Sequence, residues 1–244
     1  MTALLHVANL SKRFGGFTAL QDIELEVVQG ERLGLIGPNG SGKSTLVNCI
    51  CGTLRNETGN VSFAGEGLDG LAAHERTRRG LARSFQLPRP FASLSLAENL
   101  RIPILYAVNA RAGAHLRGAV IDARCRDLLG EVGLAAKGNR LPRDLTQIEM
   151  RKLELARAMA ARPKLLISDE AMAGLSHAEV DDILAILFRL NEQGITIIMI
   201  EHIMRAVMRF SERIVVLDAG ERIAEGTPDE IVRNPDVEKA YLGE

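Results

Sequence analysis

The stretch GPNGSGKS, residues 37–44, decides the fold of this chain. It fits the pattern G-x-x-x-x-G-K-[ST] and joins RLGLIG (32–37), an apolar run of strand length, to STLVNCI (44–50), a helix-like run. Glycines let backbone N–H groups wrap phosphate oxygens, and the dipole of the following helix favours the same negative charge. A chance glycine turn would not need this strand and helix around it. The sequence therefore predicts a phosphate-binding loop at the start of a helix.

The residue types of this loop indicate its ligand. Lys43 has the length to reach the β and γ phosphates of a nucleotide, and the Ser44 hydroxyl is of the kind that ligates Mg²⁺. The residues that we expect to bind the nucleotide here are Gly37, Pro38, Asn39, Gly40, Ser41, Gly42, Lys43, Ser44 and Thr45.

A second apolar run, LLISDE (165–170), ends in two acids. Asp169, at the C-terminal end of the predicted strand, is placed to hold Mg²⁺ through water, and Glu170 beside it to polarise an attacking water. Alone, such a run would indicate only a buried strand followed by a polar loop. Downstream of a phosphate-binding loop, we interpret it as the second half of a hydrolytic site.

Strand and helix patterns alternate along the chain, which predicts an α/β fold. IELEVV (23–28) alternates apolar and acidic residues as a half-exposed antiparallel strand does, and ITIIMI (195–200) predicts a third buried strand. Residues 88–160 are rich in Arg, Ala and Leu without a strand pattern, so we expect an inserted helical subdomain there. Residues 1–87 and 161–244 would form the nucleotide-binding core with its antiparallel β part, in one domain over 1–244.

Composition narrows the class of protein. The chain has 244 residues, 46% of them hydrophobic, and a formal net charge of -1, which supports a sizeable core and argues against a nucleic-acid binder with a basic surface. Three cysteines are too few for a disulfide framework, which favours a reducing cytoplasm. No run approaches the roughly 20 apolar residues that span a bilayer, and no signal peptide is expected. The basic run RTRR (76–79) predicts a solvated face, or one that meets lipid headgroups.

The order of these motifs resembles that of an ABC transporter ATPase subunit. The sequence runs from the phosphate-binding loop through Gln86 in RSFQ, a capped helix and Asp169-Glu170 to His202. The resemblance covers essentially the whole chain and implies a P-loop NTPase, RecA-like core with an antiparallel β subdomain and an inserted helical subdomain. Four segments resemble the ATPases of branched-chain amino acid importers, in particular the longer of their two ATPase subunits: GLARSFQ (80–86), RKLELARAMA (151–160), IEHIMRAVM (200–208) and NPDVEKAYLGE (234–244).

This resemblance assigns further roles. Phe14 matches the aromatic residue that stacks on adenine, and Gln86 matches the glutamine that touches Mg²⁺ and the attacking water and links the site to the membrane partner. Glu170 matches the catalytic base, and His202 matches the switch histidine that senses the γ-phosphate. The resemblance thus implies ATP and Mg²⁺ as cofactors, with Glu170, His202, Gln86 and Lys43 as catalytic residues and Ser44, Gln86 and Asp169 at the metal.

Residues 145–149, LTQIE, occupy the place of the family signature L-S-x-G-Q. Thr146 keeps the hydroxyl that would face a partner's γ-phosphate, but Ile148 replaces the glycine and Glu149 the glutamine. A β-branched residue would crowd the phosphate and strain the backbone angles, and an extra carboxylate near a triphosphate is unfavourable unless neutralised. Two interpretations stay open: TQIE is only a helix-capping box, or Thr146 and the helix N-terminus still bind phosphate.

The leading functional hypothesis is an ATPase that powers uptake of branched-chain amino acids or a related small solute. We expect a second, different ATPase subunit as partner in a heterodimer, integral membrane permease subunits, indirectly a solute-binding protein, and no nucleic acid. The expected location is the cytoplasmic face of a bacterial-type inner membrane. The alternatives are the ATPase of a lipopolysaccharide-type exporter and a soluble nucleotide switch that acts on DNA or ribosomes.

Overall fold

The computed structural model of the chain describes residues 3–85, 87–111 and 113–242. The strands are β1 (Ala3–Phe14), β2 (Phe17–Val28), β3 (Arg32–Ile36), β4 (Thr58–Phe63), β5 (Glu66–Gly67), β6 (Leu81–Ser84), β7 (Leu165–Asp169), β8 (Thr196–Ile200), β9 (Arg213–Asp218) and β10 (Glu221–Gly226). The α-helices are α1 (Lys43–Cys51), α2 (Ala73–Arg79), α3 (Leu96–Pro103), α4 (Gly118–Glu131), α5 (Gln147–Ala160), α6 (His177–Glu192), α7 (Met204–Phe210), α8 (Pro228–Val232) and α9 (Pro235–Leu242).

The larger sheet has six strands in the order β10-β9-β3-β8-β7-β6. Its neighbours pair in parallel except β10, which pairs antiparallel with β9. Because parallel strands end at the same edge of a sheet, the loop after β3, the acids at the end of β7 and the histidine after β8 meet there. This topology confirms the predicted α/β class and brings the sequence motifs to one edge.

Side chains alternate between two hydrophobic cores along the buried strands. Ile197 and Met199 of β8 pack into the core formed with the helices, whereas Ile198 and Ile200 pack into the core shared with α1 and the smaller sheet. A parallel sheet covered on both faces needs this continuous apolar sequence. The predicted buried strand in ITIIMI is therefore confirmed.

The smaller sheet is antiparallel and has the strand order β2-β1-β4-β5. Ile23, Leu25 and Val27 of β2 are buried, and Glu26 between them is exposed. The alternation of IELEVV thus predicted this strand correctly. The hairpin of β1 and β2 brings Phe14 opposite Phe17 at its turn.

Helices fill the segment between β6 and β7. It holds α3, α4 and α5, and no described residue from 88 to 160 lies in a strand. After Pro103, which has no N–H to donate, α3 continues as one π-helical turn over Ile104–Val108. These helices lie within residues 88–160, the segment for which the sequence predicts a helical subdomain. No described helix is both long and apolar enough to cross a membrane.

Candidate nucleotide-binding and hydrolysis site

Glycines shape the loop between β3 and α1. A Cβ atom on Gly37 would lie 2.0 Å from the carbonyl oxygen of Leu217, so no larger residue fits there. Gly42, the N-cap of α1, has a φ of 103°, and a Cβ would lie 2.7 Å from the carbonyl oxygen of Ala19. No side chain caps α1. The N-terminal N–H groups of this helix are therefore not occupied by a side-chain cap, as an anion site requires.

Lys43 is folded back onto its own loop. Its ammonium group donates to the carbonyl oxygens of Gly37 at 2.8 Å and Pro38 at 2.9 Å, and its side chain is buried. Burial lowers the pKa of the Lys43 ammonium, while the Glu170 and Asp169 carboxylates oppose this change. A buried cation held by neutral carbonyls is ready to exchange them for phosphate oxygens.

One cleft of about 270 Å³ gathers most of the predicted nucleotide residues. Its lining comprises Phe14, Phe17, Ala19, Asn39, Gly40, Ser41, Gly42, Lys43, Ser44, Thr45, Glu170 and His202. Gly37 and Pro38 adjoin it through their bonds to Lys43. Phe17 was not predicted, although the FGGF turn at 14–17 is its signal, since a tight hairpin places both aromatics at one tip.

Glu170 and His202 contact each other beside this loop. The Nε2 atom of His202 lies 3.0 Å from Oε1 of Glu170. Glu170 has a φ of 47°, unusual for a residue with a side chain, and its N–H donates to the carbonyl oxygen of Ile200 at 2.9 Å. This backbone bond ties the end of β7 to the end of β8, which brings the two predicted catalytic side chains together.

Hard oxygen donors lie where the sequence predicts the metal. Asp169 and Ser44 line a second cleft of about 570 Å³ together with Glu170. A serine hydroxyl and one carboxylate fit Mg²⁺, which takes its other ligands from phosphates and waters. The described part of the chain contains no group of three or more His, Cys, Asp or Glu that could hold a metal ion. Gln86, the third predicted ligand, lies outside the described residues.

Glu201 is a buried acid that the sequence analysis gave no role. Its Oε1 atom accepts from the N–H of Met172 at 2.8 Å, and only 3% of the residue is exposed. Burial raises the pKa of the Glu201 carboxyl to about 7, the Met172 bond opposes this, and the nearby Glu170 and Asp169 carboxylates add to it. The sequence signal for Glu201 was its position, directly between the predicted buried strand ITIIMI and His202.

Thr146 lies apart from both clefts, at the N-terminus of α5. Its Oγ1 accepts from the N–H of Glu149 at 3.4 Å, and the Glu149 carboxylate accepts from the N–H of Thr146 at 3.0 Å, which forms the predicted capping box. Thr146 itself is exposed. The cap is therefore present, with a hydroxyl that solvent still reaches.

The two unusual residues of this segment are accommodated. Lys137 pairs with the Glu149 carboxylate at 2.6 Å, and this bond lowers the pKa of Glu149. Ile148 lies in the first turn of α5 and packs its side chain against the core. The expected backbone strain is thus absent from this arrangement, and the extra negative charge has a counter-ion that the sequence analysis missed.

Comparison with known proteins agrees with this geometry. Residues 20–173 match the family model of the ABC transporter, and residues 221–244 match that of the branched-chain amino acid ATP-binding cassette transporter. The high-affinity branched-chain amino acid transport ATP-binding proteins BraF of Pseudomonas aeruginosa and LivG of Escherichia coli are 38% and 37% identical to this chain. The lipopolysaccharide export system ATP-binding protein LptB of Escherichia coli is 32% identical. Each alignment covers 99% of this chain and 98% of the relative.

Solved structures show the same fold. An ATP-binding cassette of an ABC transporter in its ADP conformation has a TM-score of 0.88 and 29% identity, with 100% of both chains covered. A dimeric cassette in a post-hydrolysis state bound to ADP and Pi has a TM-score of 0.81 and 26% identity, covering 92% of this chain and 98% of that one. Together with the match over residues 20–173 and the relatives aligned along the whole chain, these findings show that the chain belongs to the ABC transporter family as one of its nucleotide-binding ATPase subunits.

Proposed function

We propose that this chain is the ATP-binding and hydrolysing subunit of an importer of branched-chain amino acids or a related small solute. The observation that carries the proposal is the convergence of the loop at 37–45, Glu170 and His202 on one cleft. Two comparisons support the solute class: the match of residues 221–244 to the branched-chain model, and the higher identity to BraF and LivG than to LptB.

The geometry supports a division of roles. The loop N–H groups and Lys43 would hold the phosphates, with Phe14 at the adenine. Ser44 and Asp169 would hold Mg²⁺, which stabilises the charge that develops on the phosphates. Glu170, oriented by its contact with His202, would take the proton of the attacking water. The backbone hydrogen bond from Glu170 to Ile200 would hold the base and the histidine beside each other.

Changing Glu170→Gln tests this assignment. We expect turnover to fall by about a hundredfold or more while ATP binding persists, because the amide keeps the shape but cannot accept a proton. Glu57→Gln, an exposed surface acid, is the matched control. Turnover by the purified assembly with this subunit alone substituted is the measurement; activity that survives the change would show that Glu170 is not the base.

We further propose a head-to-tail heterodimer at the cytoplasmic face of the membrane. The P-loop side of this chain is complete, but Ile148 and Glu149 depart from the signature. An intact signature on a different partner would complete the site on this chain's P-loop, while the opposite site would bind ATP and hydrolyse it poorly. The dimeric cassette among the solved structures supports the pairing of two cassettes.

An apolar groove supports a permease contact. It has a volume of about 350 Å³, and Phe85, Phe91 and Tyr106 line it as exposed side chains. The fully buried Asn99 holds the segment that presents Phe91 by donating to the carbonyl oxygens of Phe91, Leu94 and Ser95. A short apolar helix of a permease fits such a groove.

Charge substitutions in the groove test this contact. Phe91→Glu and Tyr106→Glu should abolish co-purification with the permease, whereas Val232→Glu, at an equally exposed apolar residue on α8, should not. Uptake of labelled leucine by the reconstituted assembly then tests the solute. Export of lipopolysaccharide in place of uptake would establish the alternative instead.

A further inference from the structure

Arg83 connects the two elements that carry the proposed metal ligands. Its Nη2 and Nε atoms donate to Oδ2 of Asp169 at 2.5 and 3.1 Å, at the end of β7. Its Nη1 atom donates to Oδ1 of Asn48 at 2.7 Å, on α1. Asn48 lies four residues after Ser44, on the same face of that helix. The Arg83 guanidinium thus joins the Asp169 carboxylate to the face of α1 on which Ser44 lies.

The form of this contact favours orientation over neutralisation. Both donors to Asp169 use the same carboxylate oxygen, Oδ2, which leaves Oδ1 free of any bond to Arg83. The side chains of Arg83 and Asp169 are only 13% and 9% exposed, so water screens the pair weakly. Two N–H groups of a rigid guanidinium that converge on one carboxylate oxygen hold that oxygen in place more closely than a flexible lysine ammonium does.

We propose that Arg83 is the positioning residue of the magnesium site. It holds Asp169 by one oxygen and α1 by Asn48, so that the second carboxylate oxygen and the Ser44 hydroxyl keep the separation that a Mg²⁺ ion and its waters need. Residues that hydrogen-bond a ligating carboxylate in this way contribute about 10- to 100-fold to metal affinity in proteins. This role rests on the nucleotide and metal site proposed above.

Calorimetric binding of ATP in Mg²⁺ and in EDTA isolates this role. The ratio of the two dissociation constants measures how much the metal tightens binding, and a residue that merely stabilises the fold would not change it. In Arg83→Met we expect the ratio to shrink by about tenfold or more, with affinity in EDTA within about twofold of the native protein. Arg83→Lys, which keeps the charge but loses the fork, should fall between the two.

Arg213→Met is the matched control. Arg213 also bridges two carboxylates, those of Glu31 and Glu225, but it begins β9, at the opposite edge of the sheet from the site. Its loss should leave the ratio unchanged. Electron paramagnetic resonance of Mn²⁺ with ADP reports the metal directly and should show weaker binding in Arg83→Met.

Two results would overturn the proposal. An unchanged ratio in Arg83→Met, or in Arg83→Lys should the methionine variant not fold, would make Arg83 a structural residue. A larger ratio would mean that Arg83 competes with the metal for Asp169. If the native protein shows no affinity for ATP in either buffer, the proposed nucleotide site is wrong. If it binds ATP but the effect of Mg²⁺ is the same in Arg83→Met, only the role of Arg83 is wrong.

Discussion

The N-termini of α1 and α5 differ in how their backbone donors are used. No side chain caps α1, and its N-cap is Gly42. The first turn of α5 is closed by Thr146 and Glu149, with Lys137 bound to the glutamate. Both helices have a positive N-terminal dipole, so the dipole alone does not distinguish them. No side chain uses the N-terminal donors of α1, whereas the capping box of α5 uses donors that an anion site would offer.

The same contrast appears in charge. Around the P-loop, Lys43 is a buried cation whose present partners are neutral carbonyls. At α5, Lys137 is already committed to a carboxylate of its own chain. A triphosphate that arrives at α1 meets an available charge, whereas one that arrives at α5 must compete with Glu149. This is the physical basis for expecting two unequal sites in a dimer.

Removing the available cation should have the largest effect. In Lys43→Ala we expect ATP affinity to fall by about a hundredfold or more, because two or more charge-assisted bonds of about 1.5–3 kcal/mol each are lost. Lys152→Ala, which removes a lysine paired with Asp182, is the control. Calorimetry gives the dissociation constants for ATP. If Lys43→Ala bound ATP as tightly as the native protein, Lys43 would not be what distinguishes the N-terminus of α1 from that of α5.

Removing the capping glutamate at the N-terminus of α5, together with Ile148, should have the next largest effect. Ile148→Gly with Glu149→Gln restores the usual signature, removes a carboxylate from the path of a triphosphate and frees Lys137. In the assembled dimer with Glu170→Gln in this subunit, where only the opposite site can turn over, we expect ATP turnover to rise by about tenfold. The measurement is steady-state ATPase activity at saturating ATP. Unchanged activity would mean that the altered signature is not what limits the second site.

Glu201, a buried acid near Glu170 and Asp169, makes the stability of the fold depend on pH. Its folded pKa of about 7 exceeds its ordinary value of 4.5, so between these values the folded protein binds more protons than the unfolded chain. The free energy of unfolding therefore decreases as pH rises through this interval, by on the order of 3 kcal/mol. Glu201→Gln keeps an acceptor for Met172 and should be more stable than the native protein above pH 7.

The stability difference should vanish at low pH, where the native carboxyl is protonated in both states. Urea denaturation at several pH values measures it. Glu179→Gln, at a partly exposed acid in the capping box of α6, is the control and should show no gain above pH 7. A gain that is the same at every pH would show that the titration of Glu201 is not its cause.

Removing the cap of α5 should have the smallest effect. Thr146→Ala is expected to lower the free energy of unfolding by about 1 kcal/mol, as should Thr227→Ala, which removes the cap of α8. The two open interpretations of LTQIE then separate by activity. If only Thr146→Ala also lowers ATPase turnover of the assembled dimer, the hydroxyl contacts phosphate; if neither does, it is a cap.

Local sequence patterns predicted the strands, the helices and the residues of the phosphate-binding loop. Period-two alternation gave β2, and continuous apolar runs gave β3, β7 and β8, because burial on one or both faces determines those patterns. The capping box at Thr146 was visible because its two partners are three residues apart.

Contacts between distant segments were not predictable from one sequence. Arg83 meets Asp169 across 86 residues, and Lys137 meets Glu149 across 12. Arg76 shows the same limit. The run RTRR predicted a solvated face, which is wrong for Arg76: it is buried and donates to the carbonyl oxygens of Cys49 and Ile50 at the end of α1. Charge alone does not reveal which arginine donates hydrogen bonds to the carbonyl oxygens at the end of a helix.

Arg83 lines the apolar groove on one side and the metal-side cleft on the other, with Phe85 stacked 5.2 Å from its guanidinium. This thin partition has a pharmacological consequence. A small hydrophobic compound bound in the groove beside Phe85 would contact Arg83, which holds Asp169, without entering the cleft that Lys43 lines. Inhibitors of that type would act non-competitively with ATP.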